Sequence, residues 1–223
     1  MKKDLRGIFA VWKPKGPSSY DVIRALKRMT TEKKIGHAGT LDPRASGILV
    51  IAVGRDATKR LSEEVAKEKE YKASLRLGMT STTDDAEGVK TRTIPEKRAR
   101  LLEIRKVLPR FTGTVSQVPP VYSAIKVKGK EAYKRTRAGE AVVLSARPVE
   151  IRNIRIESFR WPYLALIVTT GPGVYIRSLA RDIGSALGTG AYLSGLERTR
   201  IGDFSKKNAI KIPSVKSSIR KRE

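Results

Sequence analysis

Apolar and polar positions along this chain recur with two different periods, and the switches between them mark its elements. Tyr71, Ala73, Leu75 and Leu77 alternate with Lys72, Ser74 and Arg76, which predicts a strand over Lys69–Gly78 with one buried face. Gly7–Lys13 reads as a first strand. It runs into a turn at 14–17, with Ser18 and Ser19 as a helix cap. In the helix predicted over Tyr20–Met29, Val22, Ile23, Leu26 and Met29 share one face. The stretch Gly36–Gly47, punctuated by Gly36, Gly39, Pro43 and Gly47, reads as a loop. The apolar, β-branched run Ile48–Val53 that follows reads as a buried strand.

Further along, Asp56–Leu61 predicts a short helix and Thr80–Gly88 an acidic loop. Pro95–Leu108 predicts a helix with Leu101, Leu102, Ile104 and Leu108 as its apolar residues. Phe111–Ala124 is a strand passing into an extended Pro-Pro segment. Arg147–Trp161 alternates, then slips phase at Arg152-Asn153, which predicts a bulged strand. Tyr163–Thr170 reads as a central strand, apolar on both faces. Val174–Leu187 has the stripe Ile176, Leu179, Ala180, Ile183 and Leu187 of a helix, ended by Gly188 and Gly190. Leu193 and Leu196 suggest a second short helix over Tyr192–Arg198. Strands are frequent and often consecutive, so the expected fold class is α+β on a mixed sheet.

Charge changes this picture more than any other bulk property. There are 47 Lys and Arg against 22 Asp and Glu, a net charge of +25. Solubility needs a net charge of only about 2–8 for a small domain, so the excess points to a polyanion, most often nucleic acid. Six basic residues in 125–142 (Lys126, Lys128, Lys130, Lys134, Arg135 and Arg137) face two acids, with few apolar anchors. That segment reads as a projecting basic insertion. Lys206–Glu223 reads as a mobile basic tail. The expected organisation is therefore one main domain over 1–205 and a tail over 206–223. With no Cys and a single His, His37, neither a thiolate nor a His-rich metal site is available. No apolar run reaches 18 residues and the N-terminus lacks a signal-peptide core, so a cytoplasmic protein without membrane contact is expected.

One carboxylate stands out. Asp42 lies in the loop ahead of the Ile48–Val53 strand, conformationally restricted by Pro43. A turn-forming aspartate and a catalytic one are both compatible with that position. Other chemistries lack their motifs. There is no G-x-S-x-G around a serine, no P-loop, and no Cys for a zinc deaminase. The acidic loop at Asp84, Asp85 and Glu87 lacks EF-hand spacing.

The string GHAGTLDPRASG, 36–47, closely resembles the signature of the TruB-type pseudouridine synthases, in which the Asp of G-T-L-D-P is catalytic. Ala38 and Arg44 depart from the commonest form, outside that core. Four further stretches resemble the family's motifs: K-P-x-G-x-S-S from Lys13, K-x-Y at Tyr71, the acidic loop Thr80–Gly88, which resembles the family's T-x-T-D-x-x-G loop, and G-V-Y-I-R-S-L-A-R-D-I-G around Tyr175 and Arg177. Q-x-P-P-x-Y-S-A from Gln117 and A-Y-L-x-x-L-E-R-T-x-x-G-x-F from Ala191 do so as well. The resemblance covers roughly Gly7 to Phe204. It implies the pseudouridine synthase fold, a bent and largely antiparallel sheet crossed by a cleft. The implied reaction is isomerisation of uridine to pseudouridine at position 55 in the T-loop of tRNA, without cofactor or metal. By the same resemblance Asp42 is the nucleophile or base, Arg177 its cationic partner, and Tyr71 stacks on the flipped base. His37 then fills the space that the base leaves, Lys13 lies under the site, and Tyr175 and Leu193 line it. The insertion, with Lys126, Lys128 and Lys130, is the arm that grips the RNA. Many family members carry a further small RNA-binding domain, which this chain is expected to lack, and a monomer is expected. A non-catalytic RNA-binding or tRNA-folding module, or a synthase acting on another RNA, is the competing reading; a pure binder gives no reason to place a carboxylate in a cleft for polyanions.

Overall fold

The computed structural model describes residues 5–93, 98–127, 129–212 and 215. In chain order the elements begin with β1 (Gly7–Lys13), α1 (Ser19–Met29), β2 (Ile35–Ala38), β3 (Ser46–Val53), α2 (Arg55–Lys59), α3 (Leu61–Ala66) and β4 (Lys69–Leu77). They continue with β5 (Met79–Ser81), β6 (Lys90–Arg92), α4 (Leu101–Val107), a 3-10 turn at Leu108–Phe111, β7 (Gly113–Gln117), β8 (Lys126–Val127), β9 (Lys130–Glu131) and α5 (Ala132–Arg137). The last are β10 (Arg147–Arg160), β11 (Tyr163–Thr170), α6 (Ile176–Ala186), β12 (Ala191–Ile201), β13 (Phe204–Ser205) and β14 (Ile210–Lys211). The fold is mixed, with a large mixed sheet and flanking helices. The chain divides into two compact units, Met1–Lys72 with Leu196–Glu223, and Ala73–Gly195.

In the first unit the strand order is β14-β1-β3-β12-β4, with β2 also on β3 and β13 on β12. β3 is buried on both faces, which accounts for its unbroken apolar run. Leu49, Ile51 and Val53 join Val11 and, from α1, Val22 and Leu26. Ile48 and Val50 point the other way, into a cluster with Ala10, Ala38 and Ile201. Helix α1 starts where Ser18 and Asp21 cap each other, Ser18 N–H donating to Asp21 Oδ2 at 2.8 Å and Asp21 N–H to Ser18 Oγ at 3.1 Å.

In the second unit β4, β11, β10 and β7 follow one another. The register of β10 against β11 shifts between Ile151 and Asn153, the predicted bulge, and again between Ile156 and Ser158. Leu164, Leu166 and Val168 of β11, Val149 and Ile151 of β10, and Ile176, Leu179, Ala180 and Ile183 of α6 are buried. Gly184 lets α6 meet the start of β12: a Cβ there would lie 2.2 Å from the Ala191 nitrogen. The outward face of β11 is half-buried rather than fully buried.

Several expectations need correction. Residues 191–201 form strand β12, not a helix. Two leucines three apart share a face only in a helix, but pairing with β3, at Glu197↔Ser46 and Arg198↔Gly47, makes the segment a strand in which they point to opposite faces. The start of the Gly36–Gly47 stretch is strand too, because Ile35–Ala38 pairs with β3 from Ala38↔Val50 through Ile35↔Val53. The helix over Leu61–Ala66 has no counterpart among the predicted elements. The helix expected from Pro95 begins at Leu101, residues 94–97 lying outside the described residues, and its Leu101 and Leu102 are exposed while Ile104 and Leu108 are buried. Within the basic tail, Ile210 and Lys211 pair in parallel with Val11 and Trp12 of β1. The apolar Ile210 adds a strand to an otherwise open sheet edge.

Candidate active site

The first unit carries Asp42, Lys13, His37 and Tyr71. The chain leaves β2 at Ala38, turns at Gly39 (φ +77°), and presents Leu41, Asp42 and Pro43 before Ala45 N–H closes on Asp42 O at 3.0 Å. This loop is held by groups distant in sequence. Ser19, at the start of α1, donates its Oγ to Leu41 O at 3.0 Å and accepts from Leu41 N–H at 2.9 Å. Gly16 N–H donates to Pro43 O at 2.8 Å. The Lys13 ammonium donates to Pro17 O at 2.7 Å, Pro14 O at 3.0 Å and, at the long limit of 3.4 Å, Pro43 O. Asp42 itself is half-buried.

Lys13 is fully buried, not a surface lysine at a strand end. Burial lowers its pKa to about 8; the nearby Asp42 and Asp21 charges oppose that shift, and Arg198 adds to it. Lys69, two residues before Tyr71 on the same inward face of β4, is also buried and also lowered to about 8, by burial and then by Arg198. Its ammonium donates to Val65 O and Lys67 O, both at 2.7 Å. Tyr71 lies buried on that face, as its phase in the alternation required. His37 sits on β2 with its Nδ1 buried and without a hydrogen-bond partner among the described residues. Burial, with Arg198 second, lowers its pKa, so the ring is neutral at pH 7.

The second unit carries Arg177, Tyr175, Leu193 and the basic insertion. Tyr175 is the N-cap of α6, its backbone locked to the Gln117 amide: Tyr175 N–H donates to Oε1 at 2.8 Å and Gln117 Nε2 to Tyr175 O at 3.2 Å. Arg147 lies over the Tyr175 ring, 5.5 Å from its centroid. Arg177, in the first turn of α6, is buried; its Nη2 donates to Tyr122 O at 3.0 Å and its Nε lies 3.9 Å from Asp85 Oδ2. The acidic loop is thus tied to α6 twice, since Arg181 Nη1 donates to Asp84 Oδ2 at 2.9 Å. Asp84 takes φ +60° and its pKa is raised, burial outweighing Arg181. Its carbonyl accepts from Leu193 N–H at 3.0 Å, which fixes the start of β12.

In the insertion, Lys126 and Lys130 stand on the β8–β9 hairpin, Lys126 opposite Glu131 and Lys130 opposite Val127. Lys128 lies outside the described residues. Among the described residues of 125–142 only Ala132 is buried, in keeping with the scarcity of apolar anchors.

Three further residues belong to this framework that sequence reasoning does not single out. Arg198 is buried and bonds Gly39 O, Thr40 O and Ile48 O. It lies within a family-like motif, but on a segment whose two leucines suggest a helix. Lys69 shares the phase of Tyr71, which is signal enough to find it. Gln117 opens a motif whose pattern speaks only for extended backbone.

Solved structures share this fold. A Cbf5 chain of a Cbf5–Nop10–Gar1 complex is 29% identical, with a TM-score of 0.71, 92% of this chain matching 52% of that one. An archaeal box H/ACA Nop10–Cbf5 complex gives 27% identity and a TM-score of 0.68, over 94% of this chain and 52% of the other. The chain thus spans about half the length of these structural relatives. Such a fold defines a protein of the pseudouridine synthase class. Residues 27–176 match the model of the TruB family pseudouridylate synthase N-terminal domain, and 177–223 that of the tRNA pseudouridylate synthase B C-terminal domain. Curated relatives named tRNA pseudouridine synthase B are 43% identical in Thermobifida fusca (91% of this chain, 72% of that protein) and in Corynebacterium aurimucosum (95% and 72%). The chain belongs to the TruB family of pseudouridylate synthases, and its enzyme class is that of an isomerase. The C-terminal match overlaps α6 and β12 as well as the basic tail.

Proposed function

We propose that this protein converts uridine to pseudouridine at position 55 in the T-loop of tRNA, acting as a cytoplasmic monomer. The observation that carries the reading is Asp42 on a loop clamped by Lys13, Ser19 and Gly16, in a chain of this family. The target base leaves its stack at a cost of a few kcal/mol. The C1′–N1 bond breaks, the uracil turns, C1′ bonds to C5, and the C5 proton is lost as N1 gains one, so nothing is oxidised and no group is imported. Asp42 acts as nucleophile or base. Tyr71 stacks on the uracil and stands near C5, and Arg177 supplies positive charge. Tyr175 and Leu193 shape the wall, and His37, neutral, fills the space that the base vacates. Lys126, Lys128 and Lys130 contact phosphates, which offsets part of the flipping cost.

The test is Asp42→Asn on an unmodified tRNA transcript and on its T-arm stem-loop, with pseudouridine mapped by carbodiimide primer extension. Asn keeps the shape of Asp but cannot attack or take a proton. The variant is expected to fold, to bind RNA at least as tightly, and to form no detectable product. Product at the wild-type rate would sink the catalytic assignment, and tight binding by a wild-type protein that makes no product would favour a non-catalytic RNA-binding module.

A further inference from the structure

We propose that Arg198 is a positioning residue for the reaction: from β12 its guanidinium ties together the two ends of the loop that bears Asp42. The proposal rests on the reading of Asp42 as the reacting carboxylate.

The geometry is specific. Arg198 Nη2 donates to Gly39 O at 3.0 Å, and Nη1 reaches Thr40 O at 3.5 Å, on the chain entering the loop. Its Nε donates to Ile48 O at 2.8 Å, on the strand leaving the loop. One planar fork thereby fixes the separation of residues 39–40 from residue 48, with Asp42 between them. The anchor is itself rigid. Arg198 pairs with Gly47 in a parallel ladder, and the strands are so close that a Cβ on Gly47 would lie 2.2 Å from the Arg198 carbonyl oxygen. The side chain is 1% exposed.

Packing alone does not call for an arginine here. A buried site with that much volume is filled more cheaply by an apolar side chain, because a guanidinium must be desolvated. The charged fork is what three carbonyl oxygens in different directions require; an ammonium on a flexible stem does not reproduce it. The charge also reaches across the site, since Arg198 adds to the downward shift that burial imposes on Lys13, Lys69 and His37. Lys13 and Ser19 hold the centre of the loop, at Pro43 and Leu41, and Arg198 holds its ends. Losing the end clamp leaves Asp42 attached but loosely aimed, and a displacement of about 1 Å can cost about 100-fold in rate.

The experiment compares Arg198→Lys and Arg198→Gln with wild type and Asp42→Asn on the T-arm stem-loop. It measures single-turnover rate, RNA affinity and amide hydrogen exchange. Expected are rates lower by about 10- to 100-fold with affinity within about threefold, Lys retaining more activity than Gln. Exchange should rise in 39–45 and stay unchanged in Ile48–Val53. A rate within about twofold of wild type in either variant overturns the proposal. So does a parallel loss of rate and affinity with exchange rising equally through β3, or failure of both variants to fold, since each makes Arg198 a fold residue only. The parent reading fails separately: an active Asp42→Asn sinks the role of Asp42, whereas an inactive Asp42→Asn beside a fully active Arg198→Lys sinks only the positioning role.

Discussion

Asp42 lies among cations that the first unit has buried at some cost. Lys13 and Lys69 both fall to about 8 from an ordinary 10.5, with burial the larger cause in each. For Lys13 the consequence for stability has a definite sign. Below about pH 8 the lysine is protonated folded and unfolded, and the burial penalty is fully present. Between about 8 and 10.5 the unfolded chain keeps a proton that the folded chain has released, so unfolding takes up a proton and stability rises with pH. One proton contributes at most about 1.4 kcal/mol per pH unit. Urea titrations of Lys13→Met at about pH 7.5, 8.5 and 9.5 should lack this upward component relative to wild type. Parallel trends in the two proteins would mean that Lys13 does not titrate there. Asp42 and Lys13 were both legible as motif residues, yet the burial of Lys13 was not, because a lysine at a strand end is usually solvated.

Among the elements, β3 and β12 show how far periodicity reaches. The apolar run 48–53 announced β3 because both its faces are covered and every position is apolar. β12 hides its nature. Its buried positions Ala191, Leu193, Arg198 and Ile201 are not evenly spaced, and one of them is charged. What makes it a strand is its pairing with β3, and that pairing needs a residue without a side chain at 47, where φ is +122°. Gly47→Ala is expected to lower stability by about 2–4 kcal/mol, from overpacking against the Arg198 backbone and strain at positive φ. Chemical denaturation with an unchanged midpoint would show that β3 and β12 can separate without loss. The bulge in β10 was visible beforehand as a slip in phase, since one extra residue reverses the side-chain alternation.

At the scale of the whole molecule the net charge of +25 is the dominant property. It predicts RNA affinity that falls steeply with salt. The hairpin lysines should carry part of that dependence. Changing Lys126 and Lys130 together to Gln should flatten the log–log salt slope by about 0.7–0.9 for each phosphate left without its lysine, with little change in melting temperature, as both are exposed. An unchanged slope would show that these lysines face only solvent.

The sequence by itself determined the strands with clean alternation, the capped α1 and α6, the bulge, the polyanion partner class, and through its motifs the family. Those are local matters: period, turn chemistry and charge act within a few residues of one another. Tertiary structure alone decided that 191–201 is a strand, that Lys13 is a buried cation, and that Arg198 reaches Gly39, Thr40 and Ile48. The reach of Arg198 spans about 150 positions of chain, and neither propensity nor spacing records which carbonyl a distant guanidinium will meet.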